Sequence, residues 1–337
     1  MIAVCLNRGS SSLKHAVYDG EERVIGGRVA NLAEVFDALP RAPGVVAHRF
    51  VHGGPRHHAP SLVTGQLLAD LHDAIPFAPL HLPSELKLVR EVAARFPRVP
   101  QVICFDTHFH WDLPEVARRL PLPRALYDAG VRRFGFHGLS YESVLEQLGP
   151  SGSAGKLVIA HLGNGASLAA VRDGRSIDTS MGFTPAGGIM MGTRTGDLDP
   201  GVAVHLLQQP GFGARELERM VDRESGLLGV SGVSADLRTL LASADPRAAL
   251  AVEMFCYQVR QRIGAYAAAL GGLDRLVFTG GIGENAAPVR ARICEELGFL
   301  GIGLDAAGAS VGRCPVQIVP ADEERVLARS ARFACAS

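Results

Sequence analysis

The amino-acid sequence predicts an α/β protein, because short apolar segments with strand character alternate with amphipathic helical segments. The segments 99–105, 157–162 and 276–279 are typical of buried strands, and each ends in a polar or glycine-containing turn. Helices are predicted over 248–270, which is long and amphipathic, and over 323–334 near the C-terminus. With 337 residues, the chain is long enough for two domains with separate hydrophobic cores.

A weak internal repeat supports the two-domain prediction. Residues 2–20 read IAVCLNRGSSSLKHAVYDG and residues 158–174 read VIAHLGNGASLAAVRDG, so both contain an apolar strand, a small-residue turn, a second apolar strand and Asp-Gly. An Asp-Gly pair that ends an apolar run is a signal for a hairpin turn. Small-residue turns expose backbone N–H groups that can bind an anion. The pattern fits either two related domains or two unrelated hairpins of a common type.

Charge and composition exclude several classes of partner. Lys and Arg together number 34, as do Asp and Glu, so no net field attracts nucleic acid or an acidic membrane. We therefore expect neither as a partner, and we expect local charge to bind any anionic substrate. No run of eighteen apolar residues and no basic segment before an apolar run is present, which predicts a cytoplasmic protein.

The cysteines also favour the cytoplasm. They are scattered without Cys-x-x-Cys spacing, which predicts reduced, buried thiols and not a disulfide framework or a zinc site. The six cysteines are Cys5, Cys104, Cys256, Cys294, Cys314 and Cys335.

Three glycine-rich turns are candidates for binding phosphate or a nucleoside, namely 7–12, 161–165 and 280–285. The last follows a predicted strand and precedes a helical segment, so we expect its amides at a helix N-terminus. Each turn alone is also consistent with an ordinary tight turn. A P-loop is excluded at Gly155, because the Gly-Lys pair there is followed by leucine and a strand.

Two arginines and a histidine lie beside glycines, where a ligand can approach the backbone closely. Arg49 ends an apolar strand, Arg194 lies in a glycine-flanked loop, and His137 is between two glycines after Phe136. Phosphoryl transfer needs such cations near the migrating group, together with a metal held by carboxylates. The histidines at 57–58 and 108–110 are interpreted as surface or cleft imidazoles and not as metal ligands.

In this order, the segments resemble the acetate kinase family along nearly the whole chain. The matching segments are LNRGSSSLK, HRFVHGG, FAPLHLP, FDTHFH, RRFGFHG, HLGNGASLAAV, DTSMGFTPAGGIMMGTRTGDLDPG, ESGLLGVSGVSADLR, VFTGGIGENA and PADEE. The resemblance implies the actin, sugar-kinase and chaperone-ATPase superfamily, with two duplicated actin-like (ribonuclease H-like) α/β domains and an interdomain cleft. The expected domains are 1–112, joined by a C-terminal helix over 325–337, and a nucleotide-binding domain over 113–324.

The resemblance also implies an activity. An ATP-dependent kinase of this family phosphorylates a short-chain carboxylate, converting acetate and ATP into acetyl phosphate and ADP by reversible, direct in-line transfer. It implies Mg²⁺ as cofactor, ATP as co-substrate and a homodimer. Propionate or butyrate kinase is the alternative within enzymes, and a non-catalytic actin-like nucleotide-binding regulator is the alternative outside them.

Residue roles follow from the matching motifs. The implied catalytic residues are Asp106, His137, Arg194 and Arg49, and the residues linked to the metal are Asn7 and Glu323. The implied substrate pocket consists of Arg49 and four apolar residues, Val51, Leu80, Phe136 and Pro185. The implied nucleotide site consists of Lys14, His161, Gly163, Asn164, Gly165, Asp236, Arg238, Gly281, Ile282, Gly283 and Asn285.

The chain departs from the family pattern at four motif positions. Arg8 replaces the usual Cys, Leu82 replaces the Asn of the Pro-Leu-His-Asn-Pro motif, and Leu139 and Tyr141 alter the motif after His137. None of these changes removes a group expected to contact phosphate. They leave dimer packing and acyl preference open.

Overall fold

The computed structural model describes residues 1–8 and 13–336, which form two compact units. The first unit contains Met1–Trp111, His137–Ser143 and the C-terminal segment from Asp322. The second contains Asp112–Phe136 and Val144–Ala321.

The described residues contain strands β1 (Ile2–Arg8), β2 (Leu13–Asp19), β3 (Glu22–Val29), β4 (Val45–Phe50), β5 (Ser61–Leu62), β6 (Gln101–Phe105), β7 (Lys156–Leu162), β8 (Ala166–Arg172), β9 (Arg175–Thr179), β10 (Arg275–Thr279) and β11 (Val316–Ile318). The α-helices are α1 (Leu32–Asp37), α2 (Gly65–Asp73), α3 (Leu82–Arg95), α4 (Glu115–Arg118), α5 (Arg124–Asp128), α6 (Gly138–Ser153), α7 (Pro200–Leu207), α8 (Ala214–Arg219), α9 (Gly226–Ser231), α10 (Leu237–Leu241), α11 (Pro246–Leu270), α12 (Gly280–Asn285), α13 (Ala287–Cys294) and α14 (Glu323–Ala336). Shorter 3₁₀ turns lie at Ile75–Phe77, His108–His110 and Gly298–Leu300, and a π-helical turn lies at Met220–Glu224.

The sheet of the first unit has the order β3-β2-β1-β4-β6-β5. Strands β1 to β3 are antiparallel, β1, β4 and β6 are parallel, and β5 is antiparallel to β6. Successive side chains of a strand point to opposite faces, so Ala3 and Cys5 of β1 pack with Val326 and Leu327 of α14. Val4 and its neighbours on the other face pack with residues of α1 and α3. Both faces of this sheet are therefore covered.

The sheet of the second unit has the order β11-β10-β7-β8-β9. Strands β7 to β9 are antiparallel, whereas β7, β10 and β11 are parallel. The long helix α11 packs on β7 and β8 and contributes the buried residues Val252, Phe255 and Val259. Its Asp245 N-cap accepts a hydrogen bond from Arg247 N, and Gly271, with φ of 67°, ends it.

The two sheets share one topology, which confirms the predicted duplicated α/β fold. In each, an antiparallel three-strand meander is followed by two parallel strands added beside its first strand. Both bounds of β7 lie 154 positions after the bounds of β1, the same offset that separates the two Asp-Gly turns. Gly20 and Gly174 have φ of 61° and 75°, a region that favours glycine, so both predicted hairpin turns are confirmed.

The structure confirms the predicted strands and helices but not the burial of every cysteine. The predicted strands and helices are present within two residues at each end. Five cysteines are buried and free, whereas the prediction of burial is wrong for Cys335, which is exposed on α14. Residues 9–12 of the first predicted phosphate-binding turn lie outside the described residues. Within residues 1–8 and 13–336, no helix is both long and apolar enough to span a membrane.

Candidate active site

An ion pair between the half-buried Arg49 and the buried Asp106 is the centre of the charged residues in the first unit. Arg49 is near the end of β4 and Asp106 directly follows β6, its parallel neighbour, so both lie at the carboxyl edge of the sheet. Arg49 Nε donates to Asp106 Oδ1 at 2.9 Å and Arg49 Nη2 donates to Asp106 Oδ2. Such a bidentate pair is among the strongest hydrogen-bonding arrangements in proteins.

Asn7 and Glu323 extend this pair into a cluster of four side chains. Asn7 lies on β1, next to β4, and Glu323 begins α14. Arg49 Nη1 donates to Asn7 Oδ1 at 3.2 Å, and Asn7 Nδ2 donates to Glu323 Oε2 at 2.8 Å. Arg49 Nε is also 3.9 Å from Glu323 Oε2. The structure thus brings together four residues that the motifs assigned to catalysis and metal binding from four separate parts of the chain.

Burial and mutual attraction shift the pKa values of Asp106 and Arg49. Burial raises the pKa of Asp106 to about 6, although attraction and hydrogen bonding by Arg49 oppose the rise. Burial disfavours the charged guanidinium of Arg49, but attraction by Asp106 and Glu323 outweighs this effect and raises its pKa. The Arg49 guanidinium lies beside two carboxyl groups, Asp106 and Glu323. Carboxylate and carbonyl oxygens are ligands that divalent cations bind.

Asp106 also fixes the His137 segment. Its main-chain carbonyl accepts a hydrogen bond from Gly138 N at 2.8 Å, and the main-chain N–H of His137 donates to its carboxylate. His137 has φ of 60°, an unusual conformation for a non-glycine residue that such contacts can enforce. A Cβ atom at Gly138 would lie 2.3 Å from the carbonyl oxygen of Asp106, so this position requires glycine.

Lys14 is bound to a glutamate that the sequence analysis did not single out. Asn7 and Lys14 are opposite one another on β1 and β2. Lys14 Nζ is 2.8 Å from Glu324 Oε2, and the Glu324 side chain is almost fully buried. The adjacent glutamates at the start of α14 therefore hold the two residues of one cross-strand pair. A role for Lys14 in nucleotide binding stays a prediction.

Arg194 is positioned in the second unit by a constrained loop. Arg194 Nη1 donates to the carbonyl oxygen of Pro185 at 3.2 Å. Asp197 closes the loop, because its N–H donates to Gly188 O at 2.7 Å and its Oδ1 accepts from Gly188 N at 2.7 Å. Arg262 Nη2 donates to the other oxygen of Asp197 at 2.8 Å. Asp197 and Arg262 are thus supporting residues that the sequence analysis missed.

Two of the predicted nucleotide-binding turns meet at one edge of the second sheet. His161 ends the pairing of β7 opposite Thr279 of β10, so the turn 163–165 and helix α12 start at neighbouring strand ends. The main-chain oxygen of Asn164 accepts from Gly192 N at 3.0 Å, which places this turn beside the Arg194 loop.

The 280–285 turn follows β10 and precedes α13, as expected. Its residues also form a short helix of their own, α12, and the amide of Gly280 donates to Glu284 Oε1 at 3.0 Å. Asp236 caps α10 by accepting from Arg238 N at 2.9 Å, and it forms an exposed ion pair with the Arg238 guanidinium. Contacts of these residues with adenosine stay predictions.

The four apolar residues assigned to the acyl pocket differ in exposure. Val51 and Phe136 are buried, Pro185 is half-buried, and Leu80 is 42% exposed. Val51 and Leu80 belong to the first unit, whereas Phe136 and Pro185 belong to the second. A role in acyl binding stays a prediction for all four.

Within the described chain, no group of three or more His, Cys, Asp and Glu side chains is arranged to hold a metal ion. The cluster at Arg49 offers two carboxylates and one amide instead. This set fits Mg²⁺, which usually binds one or two carboxylates and completes its shell with water and substrate phosphates. His57, interpreted above as a surface or cleft imidazole, has an acidic neighbour, because its Nε2 is 2.8 Å from Asp70 Oδ2.

Comparisons with known proteins agree with this geometry. Residues 39–330 match the model of the acetokinase family. An acetate kinase of Rhodopseudomonas palustris is 48% identical over 299 residues, covering 84% of this chain and 75% of that protein. An acetate kinase of Micrococcus luteus is 39% identical over 381 residues, covering 98% of both.

Solved structures are similar over the full length. The acetate kinase of Porphyromonas gingivalis is 34% identical with a TM-score of 0.89, covering 99% of both chains. A propionate kinase of Francisella tularensis is 32% identical with a TM-score of 0.91, covering 98% of this chain and 99% of that one. Fold and matches together define a phosphotransferase. More particularly, the chain belongs to the acetokinase family, and the resemblance seen in the motifs is confirmed.

The packing of Gly138 on Asp106 generates a test. We predict that Gly138→Ala lowers the stability of the protein by about 1–3 kcal/mol, as overpacking does in a close-packed interior. Gly264→Ala in α11 is the control, because no atom lies within 4 Å of its added Cβ. The control should instead gain about 0.5–1 kcal/mol from improved helix propensity. Equal denaturation midpoints for the two variants would show that Gly138 does not pack tightly against Asp106.

Proposed function

We propose that this protein is an acetate kinase, which transfers the γ-phosphate of ATP to acetate and yields acetyl phosphate and ADP. The observation that carries the proposal is the partly buried cluster of Arg49, Asp106, Asn7 and Glu323. It supplies a cation for one anionic substrate and carboxylates for a metal, in a chain whose curated relatives are named acetate kinases at 39–48% identity.

The chemistry needs little from the protein beyond charge and position. The carboxyl group of acetate is ionised near neutral pH, so it attacks phosphorus without a general base. In the proposal, Arg49 binds the acetate carboxylate, and Asp106 keeps the guanidinium in place through their bidentate pair. The Asp106 carboxylate already accepts hydrogen bonds from Arg49 and His137. We therefore propose that Asp106 orients these two residues. Direct in-line transfer follows, in either direction.

Residues of the second unit are proposed to act on ATP. Arg194, held by Pro185, would stabilise charge on the oxygens of the transferring phosphoryl group, as arginines do in other phosphoryl transfers. His137, fixed by Asp106 in the first unit, would assist it. Asn7 and Glu323, with Asp106 beside them, would hold Mg²⁺, which would supply positive charge next to the phosphates.

Propionate is the second candidate substrate. A propionate kinase has a fold closely similar to this chain, with a TM-score of 0.91. One methylene in an apolar pocket discriminates between substrates by only about 1–3 kcal/mol. Butyrate is the more distant alternative. A non-catalytic nucleotide-binding regulator would have no need for the Arg49 cluster, which this chain retains.

The direct test is ATP-dependent acyl phosphate formation, trapped with hydroxylamine, with acetate, propionate and butyrate as separate acceptors. We expect the highest kcat/KM with acetate, a lower value with propionate and little reaction with butyrate. A preference for butyrate would contradict acetate as substrate. Absence of any acyl phosphate with all three acids would contradict the proposed function.

The metal role of Glu323 can be tested separately. Glu323→Gln keeps the side-chain shape but removes one charge, and we expect the Mg²⁺ concentration for half-maximal rate to rise at least about tenfold. Asp322→Asn is the control, because Asp322 lies beside Glu323 and its Oδ1 accepts from Arg325 N at 3.2 Å, a hydrogen bond that the Asn oxygen can also accept. If Glu323 merely complements the helix dipole, the variant loses about 0.3–1 kcal/mol of stability and keeps its magnesium dependence. That outcome would refute the metal assignment.

Two further points belong to the proposal. A homodimer is supported by α7, an apolar helix in which no residue is buried and Val202, Val204 and Leu207 are exposed. Sedimentation of a monomer at micromolar concentration would contradict it.

A cytoplasmic location is supported by the six free cysteine thiols, and recovery in an extracytoplasmic fraction would contradict it.

A further inference from the structure

Glu85 is a buried carboxyl group beside the candidate site with no role in the mechanism above. It lies in the first turn of α3, and only 2% of its surface is exposed. Both its oxygens face one donor, because Val51 N lies 3.2 Å from Glu85 Oε1 and 3.3 Å from Glu85 Oε2. Burying an acidic side chain costs free energy unless hydrogen bonds compensate for its lost contacts with water. The hydrogen bonds that Glu85 accepts are therefore important for the local structure.

The donor is located where the chain leaves the sheet. The parallel pairing of β4 with β6 ends at Phe50, whose carbonyl accepts from Asp106 N at 2.9 Å. Val51 is the next residue, so its main-chain N–H has passed beyond the strand ladder. Glu85 supplies the acceptor that the ladder no longer offers. The side chain therefore determines the path of the segment immediately after Arg49.

The helix that carries Glu85 is a rigid support. Helix α3 has 14 residues, and Leu86, Val89 and Val92 on it are buried. Leu82, one turn before Glu85 and on the same side, is also fully buried but has no polar side-chain atom. Within this first turn, Glu85 is thus the side chain that can hold the main chain at Val51.

Glu85 interacts electrostatically with Arg49 and Asp106, and among the described residues no direct ion pair joins it to either. Burial raises the pKa of Glu85 to about 8, with attraction by Arg49 and the Val51 hydrogen bond opposing the rise and repulsion by Asp106 adding to it. The raised pKa favours the uncharged form of the group. An uncharged carboxyl still accepts from Val51 N–H through its carbonyl oxygen, and it does not compete with a substrate anion for Arg49.

We propose that Glu85 is a positioning residue that determines acyl preference by fixing the main chain at Val51, one of the residues assigned to the acyl pocket. The proposal rests on the proposed carboxylate kinase function. With Glu85 in place, Val51 is held close to Arg49 and limits the length of the acid that fits. Without it, the Val51 segment relaxes and a longer acid is accommodated.

The test compares Glu85→Ala and Glu85→Gln with the control Glu91→Ala, which changes an exposed residue of the same helix that pairs with Lys87. For each variant, kcat and KM are measured for acetate and propionate, together with KM for ATP and the thermal midpoint. We expect Glu85→Ala to raise the propionate-to-acetate ratio of kcat/KM by about fivefold or more, the effect of losing one buried hydrogen bond. KM for ATP should change by less than about twofold, as for a distant substitution.

Glu85→Gln should restore the wild-type ratio to within about twofold, because it keeps both the size and the carbonyl acceptor. An unchanged ratio in Glu85→Ala, or an equal change in the Glu91 control or in Glu85→Gln, would overturn the proposal. If Glu85→Ala does not fold, Glu85→Asp decides, since its shorter side chain cannot reach Val51 and should shift the ratio in the same direction.

The wild-type assay separates this proposal from the proposed function. If the wild type forms acyl phosphate and the Glu85 variants keep its acid preference, only the role of Glu85 is refuted. If the wild type forms no acyl phosphate from either acid, the function is refuted and the role of Glu85 is refuted with it.

Discussion

The ion pair between Arg49 and Asp106 is the interaction on which the first unit's site depends. Asp106 is buried, and a buried charge that loses its partner is strongly destabilising. The pair joins the ends of two parallel strands, and each partner then binds further groups. Arg49 donates a hydrogen bond to Asn7, which in turn donates to Glu323 of α14. Asp106 accepts a hydrogen bond from the main-chain N–H of His137. Loss of the pair would therefore release several functional groups together.

The duplicated topology explains where the functional groups lie. In a parallel arrangement, strand ends and the turns that follow them gather at one edge of the sheet. In the first unit, Arg49 near the end of β4 and Asp106 after β6 lie at this edge. In the second unit, the glycine-containing segments after β7 and β10 lie there, and we propose that they bind the nucleotide. The two units thus place different residues at the carboxyl ends of their parallel strands.

Much of the fold and part of the site could be predicted from sequence, because both leave local signals. Apolar runs that end in polar or glycine turns mark the strand ends, and Arg49, Asp106 and His137 are adjacent to such turns. Glu85 and Glu324 leave no comparable signal, since each is an ordinary helix-start glutamate until tertiary structure buries it against Val51 or Lys14. The exposure of Cys335 likewise depends on which face of α14 packs on the sheet, which composition does not determine.

The most direct test of this account is Arg49→Lys, which preserves the charge but cannot form the bidentate pair with Asp106. Because truncating one partner of a buried charged pair is costly, we expect kcat/KM for acetate to fall at least about 100-fold. KM for ATP and the folded state, measured by circular dichroism, should be largely preserved. A variant that stays folded and retains kcat/KM for acetate within about fivefold of wild type would contradict the central role of this pair.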